Sequence, residues 1–188
     1  LFSKKVKLFV FSAPSGSGKT TIVKDVLSQN KDFVFSISAT TRKPRKSEKD
    51  GRDYFFISED EFQKKIKNGE FIEFEKVYDY YYGTLKDFVE KNLKEGHSVV
   101  FEVDVKGALS IKRKYPGAVL IFIAPPSLKE LKKRLVNRKT ETSEDLKKRI
   151  ERAEMELNYK DQFDFVVSNV NLEQAKRKVN EIINKEIN

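Results

Sequence analysis

Three observations predict an α/β fold built on a mainly parallel sheet. Short apolar runs alternate along the chain with amphipathic segments that open on helix-capping residues. The first apolar run passes through a Gly/Ser turn directly into a helical segment. Two stretches break the alternation, an aromatic one over 37–94 and a charged one over 127–155, and both have the size of insertions into a core. A chain of 188 residues suits one compact domain with room for such inserted lobes.

The elements follow in order. Residues 6–11 (VKLFVF) form a buried strand, and a helix follows from about Thr20 to Leu27. Residues 98–103 (SVVFEV) form a second core strand and 118–123 (AVLIFI) a third, stopped by Pro125-Pro126. Residues 163–167 (FDFVV) form a fourth. Helix starts carry the capping-box signature, a Ser, Thr or Asn with an acid or amide three residues on. Ser58 with Glu61, Ser127 with Glu130, Thr142 with Asp145 and Asn171 with Gln174 each mark one. Leu172, Ala175, Val179 and Ile182 keep helical spacing in the last helix. Within 37–94, Tyr54-Phe55-Phe56, 71–74 (FIEF) and Tyr80-Tyr81-Tyr82 are short aromatic strands around one helix. If 71–74 is a regular strand, residues 71, 73 and 75 share a face, so Phe71 walls the same pocket as Glu73.

Composition bounds the partners. Apolar residues make up 38%, with 15 Phe, which supports a core despite a charged fraction of 36%. No apolar run reaches the roughly 18 residues of a membrane span, and residues 1–5 lack the pattern of a secretory signal. The first residue is not Met, which points to residues missing ahead of Leu1. With no Cys there are no disulfides or thiolate metal sites, which is compatible with a reducing cytoplasm, the expected location. The net charge of +9 fits either a nucleic-acid partner or a solvated Lys-rich surface. The lysines are scattered over helix faces with no long basic tract, which favours the solvated surface and no nucleic-acid partner.

Ala13-Pro14-Ser15-Gly16-Ser17-Gly18-Lys19-Thr20, followed by Thr21, is a phosphate-binding loop between the first strand and the first helix. Its glycines let successive backbone N–H groups turn towards phosphate oxygens, and the helix N-terminus faces the same anion. Lys19 can reach the β- and γ-phosphates, and the Thr20 hydroxyl can bind Mg²⁺. The general pattern begins with Gly; here the first position is Ala13. Asp104, at the end of the second core strand, is expected to help hold Mg²⁺ through water, or to cap the next helix, or both. His97, the only His, stands beside Gly96 in a turn and is assigned no chemistry. Residues 166–169 (VVSN) are placed near the ATP base.

The chain resembles the guanylate kinase family along nearly its whole length. The matching stretches are SAPSGSGKTT, SISATTRKPR, DGRDYFF, GEFIEF, YYGT, FEVDVKGA, IFIAPPS and RLVNRKTET, in the family's order. The resemblance implies a P-loop kinase core with a parallel sheet flanked by helices, an inserted α+β GMP-binding lobe and a helical lid. Core, lobe and lid would then be 1–36 with 95–126 and 156–188, 37–94, and 127–155. It implies transfer of the γ-phosphoryl group of ATP to GMP with Mg²⁺; a GMP site blind to the ribose would also use some dGMP, and the sequence shows no obligate protein partner. Ser38, Arg42, Arg45, Tyr54 and Tyr82 match the family's GMP-phosphate residues; two guanidinium forks and several hydroxyls suit a dianion. Glu73 and Thr84 match the guanine-reading positions, and Glu102 and Asp104 the family's acidic pair. Arg134, Arg138 and Arg149 match arginines of the lid and hinge that, with Lys19, surround the transferring phosphoryl group. Where the family usually has Gly-Arg-Gly, this chain has Asn137-Arg138-Lys139.

Two other functions compete with this expectation. A guanylate-kinase-like scaffold module that binds phosphopeptides would keep the GMP lobe without a working P-loop; here Lys19, Thr20, Asp104 and the three arginines are present. A different nucleoside-monophosphate kinase would share the P-loop but not the order of the GMP-lobe motifs.

Overall fold

The computed structural model describes residues 5–77, 79–136 and 143–188. Arg138, its neighbours Asn137 and Lys139, and the Thr142 cap lie outside the described residues.

Five parallel strands form the main sheet: β1 (Leu8–Ser12), β2 (Phe33–Phe35), β7 (Ser98–Glu102), β8 (Val119–Ala124) and β9 (Phe165–Ser168), in the order β2-β7-β1-β8-β9. Both faces are covered, which is why the strands read as continuous apolar runs. Phe9 and Phe11 of β1, Val100 of β7 and Ile121 of β8 face α1 (Lys19–Gln29) and α7 (Leu172–Ile187). Leu8, Val10, Val99, Phe101 and Leu120 face α3 (Lys86–Lys94) and α4 (Val105–Lys114). Neighbouring residues of one strand thus enter opposite clusters, and Phe9, Val10 and Phe11 are all fully buried.

The structure adds elements to those expected. β2 is a three-residue, half-buried edge strand. The first strand begins at Leu8, since Val6 is exposed and unpaired in the sheet. The helix α3 falls within the stretch assigned to the inserted lobe, yet its Val89 is buried in the cluster beneath β7.

The second sheet has the order β4-β3-β6-β5, with β3 (Ser38–Thr40), β4 (Phe55–Phe56), β5 (Phe71–Val77) and β6 (Tyr80–Leu85). It is antiparallel except for β3 beside β4. The helix α2 (Glu59–Lys67) covers one face, where Phe62 is fully buried and stacks on Phe71 at 4.3 Å. Ser58 accepts a hydrogen bond from the Glu61 N–H and caps this helix, as its spacing predicts. Ser127 and Asn171 do the same for α5 (Leu128–Val136) and α7.

β5 is not a regular strand. Phe71 pairs with Leu85 and Glu73 with Thr84, so Ile72 is an extra residue, a β-bulge. The bulge turns Phe71 onto the Phe62 side with Phe74, their rings 6.2 Å apart, while Glu73 faces the opposite side. Phe71 therefore does not wall the pocket that Glu73 enters, contrary to strict alternation. Gly83 is required opposite the bulge: a Cβ there would lie 2.9 Å from the Phe71 ring and 3.0 Å from the Glu73 carbonyl. Lys114 of α4 donates to the Phe71 carbonyl at 3.0 Å, tying the bulge to the main domain.

The candidate active site

At the carboxyl end of β1 the chain turns through residues 13–18 into α1. Gly16 and Gly18 adopt φ of 88° and 86°, in the left-handed region that glycine occupies without strain. Gly18 is also approached so closely that a Cβ would meet the Asn169 amide at 2.5 Å. That amide donates to the Ser17 carbonyl at 2.8 Å in a buried setting. Asn169, expected near the ATP base, braces the phosphate loop itself. Only the fold, by ending β9 one strand away from β1 across β8, reveals this role. Asn169→Ala is expected to lower stability by about 1–3 kcal/mol, since a buried carbonyl loses its donor, and to raise KM for ATP more than for GMP. Denaturant melts and separate KM measurements check both.

Lys19 points back under the loop and donates to the Val103 carbonyl at 3.2 Å. Burial lowers its pKa, opposed by Glu102, Glu156 and Asp104. Thr20 donates to Glu102 Oε1 at 2.6 Å. Asp104 caps α4 by accepting from the Gly107 N–H at 2.7 Å, and its other oxygen meets Arg152 at 3.2 Å. The helix-capping alternative for Asp104 is thus realised. The donors suit a hard divalent cation: a hydroxyl and a carboxylate oxygen lie side by side at the phosphate loop, with a second carboxylate next along the strand end. Mg²⁺ typically takes one or two carboxylates and fills its other positions with water and phosphate oxygens.

Two clefts flank this point. One, of about 430 Å³, is lined by residues 13–21 with Glu102, Asp104, Arg149, Arg152, Ala153 and Glu156. The other, of about 420 Å³, is lined on the second sheet by Ser38, Tyr54, Glu73, Glu75 and Tyr82. Lys19, Thr20, Glu102, Asp104 and Arg152 line both.

In the second cleft, β6 lies between β3 and β5, so Thr84 pairs with both Ser38 and Glu73. The buried Thr84 hydroxyl donates to Glu73 Oε1 at 2.7 Å. Burial pushes the Glu73 carboxyl up, and this hydrogen bond opposes the shift. Further along β5, burial and the neighbouring Asp104 push Glu75 up to about 8. Although burial opposes it, hydrogen bonds from the Glu75 carboxyl and the Gly107 N–H hold Asp104 below its ordinary range. Arg42 lies 5.4 Å from the Tyr54 ring centre and makes a two-pronged contact with Glu48 at 2.8 and 3.0 Å. Tyr54 and Tyr82 meet edge to face at 6.0 Å.

Not every expected residue joins the clefts: Arg42, paired with Glu48, and the buried Thr84 behind Glu73 line neither. Arg45 is exposed in the turn after Arg42, where its N–H donates to Glu48 at 2.7 Å. Arg134 on α5 pairs with Glu130 one turn back, at 3.4 Å. Arg149 lines the first cleft. Arg152, which carried no expectation, lines both clefts, and Glu75, which carried none either, lines the second with its carboxylate 3.8 Å from Arg152.

A phosphate loop at the carboxyl ends of parallel strands, joined to a second polar cleft on an inserted sheet, defines the class of P-loop phosphotransferases. The sequence model of the guanylate kinase family matches residues 5–186. The chain is 48% identical to a guanylate kinase of Thermotoga maritima over 182 residues, covering 97% of this chain and 88% of that protein. It is 50% identical to one of Caldanaerobacter subterraneus over 180 residues, covering 96% and 87%. The crystal structure of guanylate kinase from Anaplasma phagocytophilum superposes with a TM-score of 0.76 at 31% identity, covering 98% of this chain and 87% of that one. The chain belongs to the guanylate kinase family.

Proposed function

We infer that the chain transfers the γ-phosphoryl group of ATP to GMP, giving ADP and GDP. The observation that carries this reading is the meeting of the two clefts at Lys19, Thr20, Glu102, Asp104 and Arg152. ATP occupies the cleft lined by residues 13–21, its phosphates on the N–H groups of residues 15–20 and on Lys19. GMP occupies the other, with residues 37–94 as its lobe and 127–155 as the lid. Ser38, Arg42, Arg45, Tyr54 and Tyr82 bind its phosphate, and Glu73 with Thr84 meets the guanine edge. An oxygen of the GMP phosphate forms the new bond to the γ-phosphorus as the bridge to the β-phosphate breaks, and that electron pair leaves on ADP. The GMP phosphate is dianionic near neutrality, so the nucleophile needs no general base, and positioning with charge stabilisation accounts for most of the acceleration. Thr20 and Glu102, with Asp104 through water, are the residues that would hold Mg²⁺. When bound, that ion neutralises charge on the β- and γ-phosphates.

ADP formation from ATP, followed by a coupled assay with GMP, AMP, CMP, UMP and dTMP, tests the assignment. GMP is expected to be the strongly preferred acceptor. Equal or better turnover of any of the other four would overturn it.

A further inference from the structure

Of the five residues that line both clefts, two are cations, Lys19 and Arg152. Lys19 belongs to the phosphate loop. Arg152 lies on α6 (Ser143–Leu157), in a charged run where helical periodicity does not set it apart from Arg149. Resting on the ATP and GMP assignment above, we propose that Arg152 is a catalytic residue that contacts the phosphoryl group in transit between the two nucleotides.

Three features of its setting carry the inference. First, Arg152 is held in place without being locked. Its Nε donates to Glu156 Oε1 at 3.1 Å, one helical turn on, and Glu156 is 5% exposed. That anchor fixes the guanidinium from the helix side. Across the junction, Nη2 meets Asp104 at 3.2 Å and Glu75 only at 3.8 Å, and the Arg152 side chain is 38% exposed. Partly exposed ion pairs of this kind are weak, so exchanging Asp104 for a dianionic phosphoryl group costs little. A planar guanidinium also matches the spread of two phosphate oxygens.

Second, Arg152 is indexed to the phosphate loop by packing. The next residue, Ala153, is buried against Leu131 and Leu135 of α5. Those leucines abut the loop: a Cβ at Gly16 would meet them at 3.4 and 3.5 Å. The guanidinium is therefore placed relative to the ATP phosphates through two apolar contacts, without a flexible connection between them.

Third, Lys19 and Arg152 both line the space where the two clefts join. An anion between two such cations relieves their repulsion. The transferring group carries its charge on equatorial oxygens between donor and acceptor, at the place where the clefts join. Arg134 is turned to Glu130 on its own helix, and Arg149 lines the ATP cleft but not the other one.

The alternative role is structural: Arg152 would only compensate the buried Glu156. Kinetics and inhibitor binding on Arg152→Gln and Arg152→Ala separate the two roles, with thermal melts of both variants to compare the folded proteins. Arg152→Gln keeps a donor for Glu156 and protects the measurement if the alanine variant unfolds. The expected result is a fall in kcat of about 10²-fold, with KM for ATP and for GMP each within about threefold. An inhibitor joining adenosine and guanosine through five phosphates should bind about tenfold or more weakly, because it fills the junction. Millimolar guanidinium should restore part of the turnover of Arg152→Ala. A folded variant with kcat within about twofold of the unaltered protein would overturn the proposal. So would a change confined to KM for GMP, or to thermal stability. If the unaltered protein formed no ADP in response to GMP, the nucleotide assignment itself would fall, and the inference with it.

Discussion

Lys19→Ala is expected to lower kcat by about 10²–10⁴-fold, equivalent to about 3–5 kcal/mol of transition-state stabilisation, in a protein that remains folded. The side chain lies at the loop, where it donates to the Val103 carbonyl instead of packing in the core. Its removal costs that one contact, roughly 1 kcal/mol, and leaves Glu102, Asp104 and Glu156 less compensated. The catalytic loss is far larger because a preorganised ammonium in a desolvated loop meets developing charge without solvent having to reorganise. Burial lowers the Lys19 pKa, and a phosphate beside the ammonium acts in the opposite direction. Arginine should not substitute well, since its wider fork cannot occupy a pocket shaped for a point charge under the loop. Coupled ADP release, read beside a thermal melt, decides the matter: near-normal turnover by the folded alanine variant would remove Lys19 from the mechanism.

How far such a site can be read without coordinates depends on which physical constraint marks each residue. β1, β7 and β8 are legible because both faces of each are covered, which forces uninterrupted apolar runs such as LFVF. The phosphate loop is legible because left-handed turns at Gly16 and Gly18 demand glycine next to a fixed lysine and hydroxyl. β2 is not, since three half-buried residues at a sheet edge give too short a pattern. α3 is hidden for another reason: it is only nine residues long, its buried residues are Val89 and Asn92 alone, and its other apolar residues, Phe88 and Leu93, are only partly buried among charged neighbours. The bulge at Ile72 depends on pairing with β6 and on the space left by Gly83, neither of which appears in the local sequence around Glu73. Arg152 and Asn169 become functional only through tertiary proximity, to Asp104 in one case and to Ser17 in the other. Charge runs and strand ends contain many such residues, and only packing selects among them.

Glu73 should govern which base is accepted. After the bulge its side chain faces the second cleft, where Thr84 donates to Oε1 at 2.7 Å. A Cβ at Gly107 would lie 3.2 Å from Oε2, so this oxygen sits against the start of α4, where helix N–H groups favour negative charge. Those contacts fix the carboxylate before any base arrives, and they oppose the effect of burial, which pushes the group up. Guanine presents two adjacent donors, N1–H and the 2-amino group, to such an acceptor pair. Adenine presents a lone pair at N1 and no donor at C2, so AMP leaves a desolvated carboxylate facing an acceptor. Sites that hydrogen-bond their substrate in this way reject the mismatched ligand by about 10⁴-fold. Discrimination of that order is expected here for kcat/KM with GMP against AMP. Glu73→Gln keeps the length of the side chain and one acceptor, but it loses the charge and places an N–H₂ where guanine also donates. The GMP value should therefore fall steeply while the AMP value changes little or rises, since an amide can donate to adenine N1. The fold has no reason to fail, because neutralising a half-buried carboxylate removes a desolvation cost along with a hydrogen bond. The measurement is kcat/KM for both nucleotides in the two proteins. An unchanged GMP-to-AMP ratio in an active variant would show that the base is read elsewhere in the cleft.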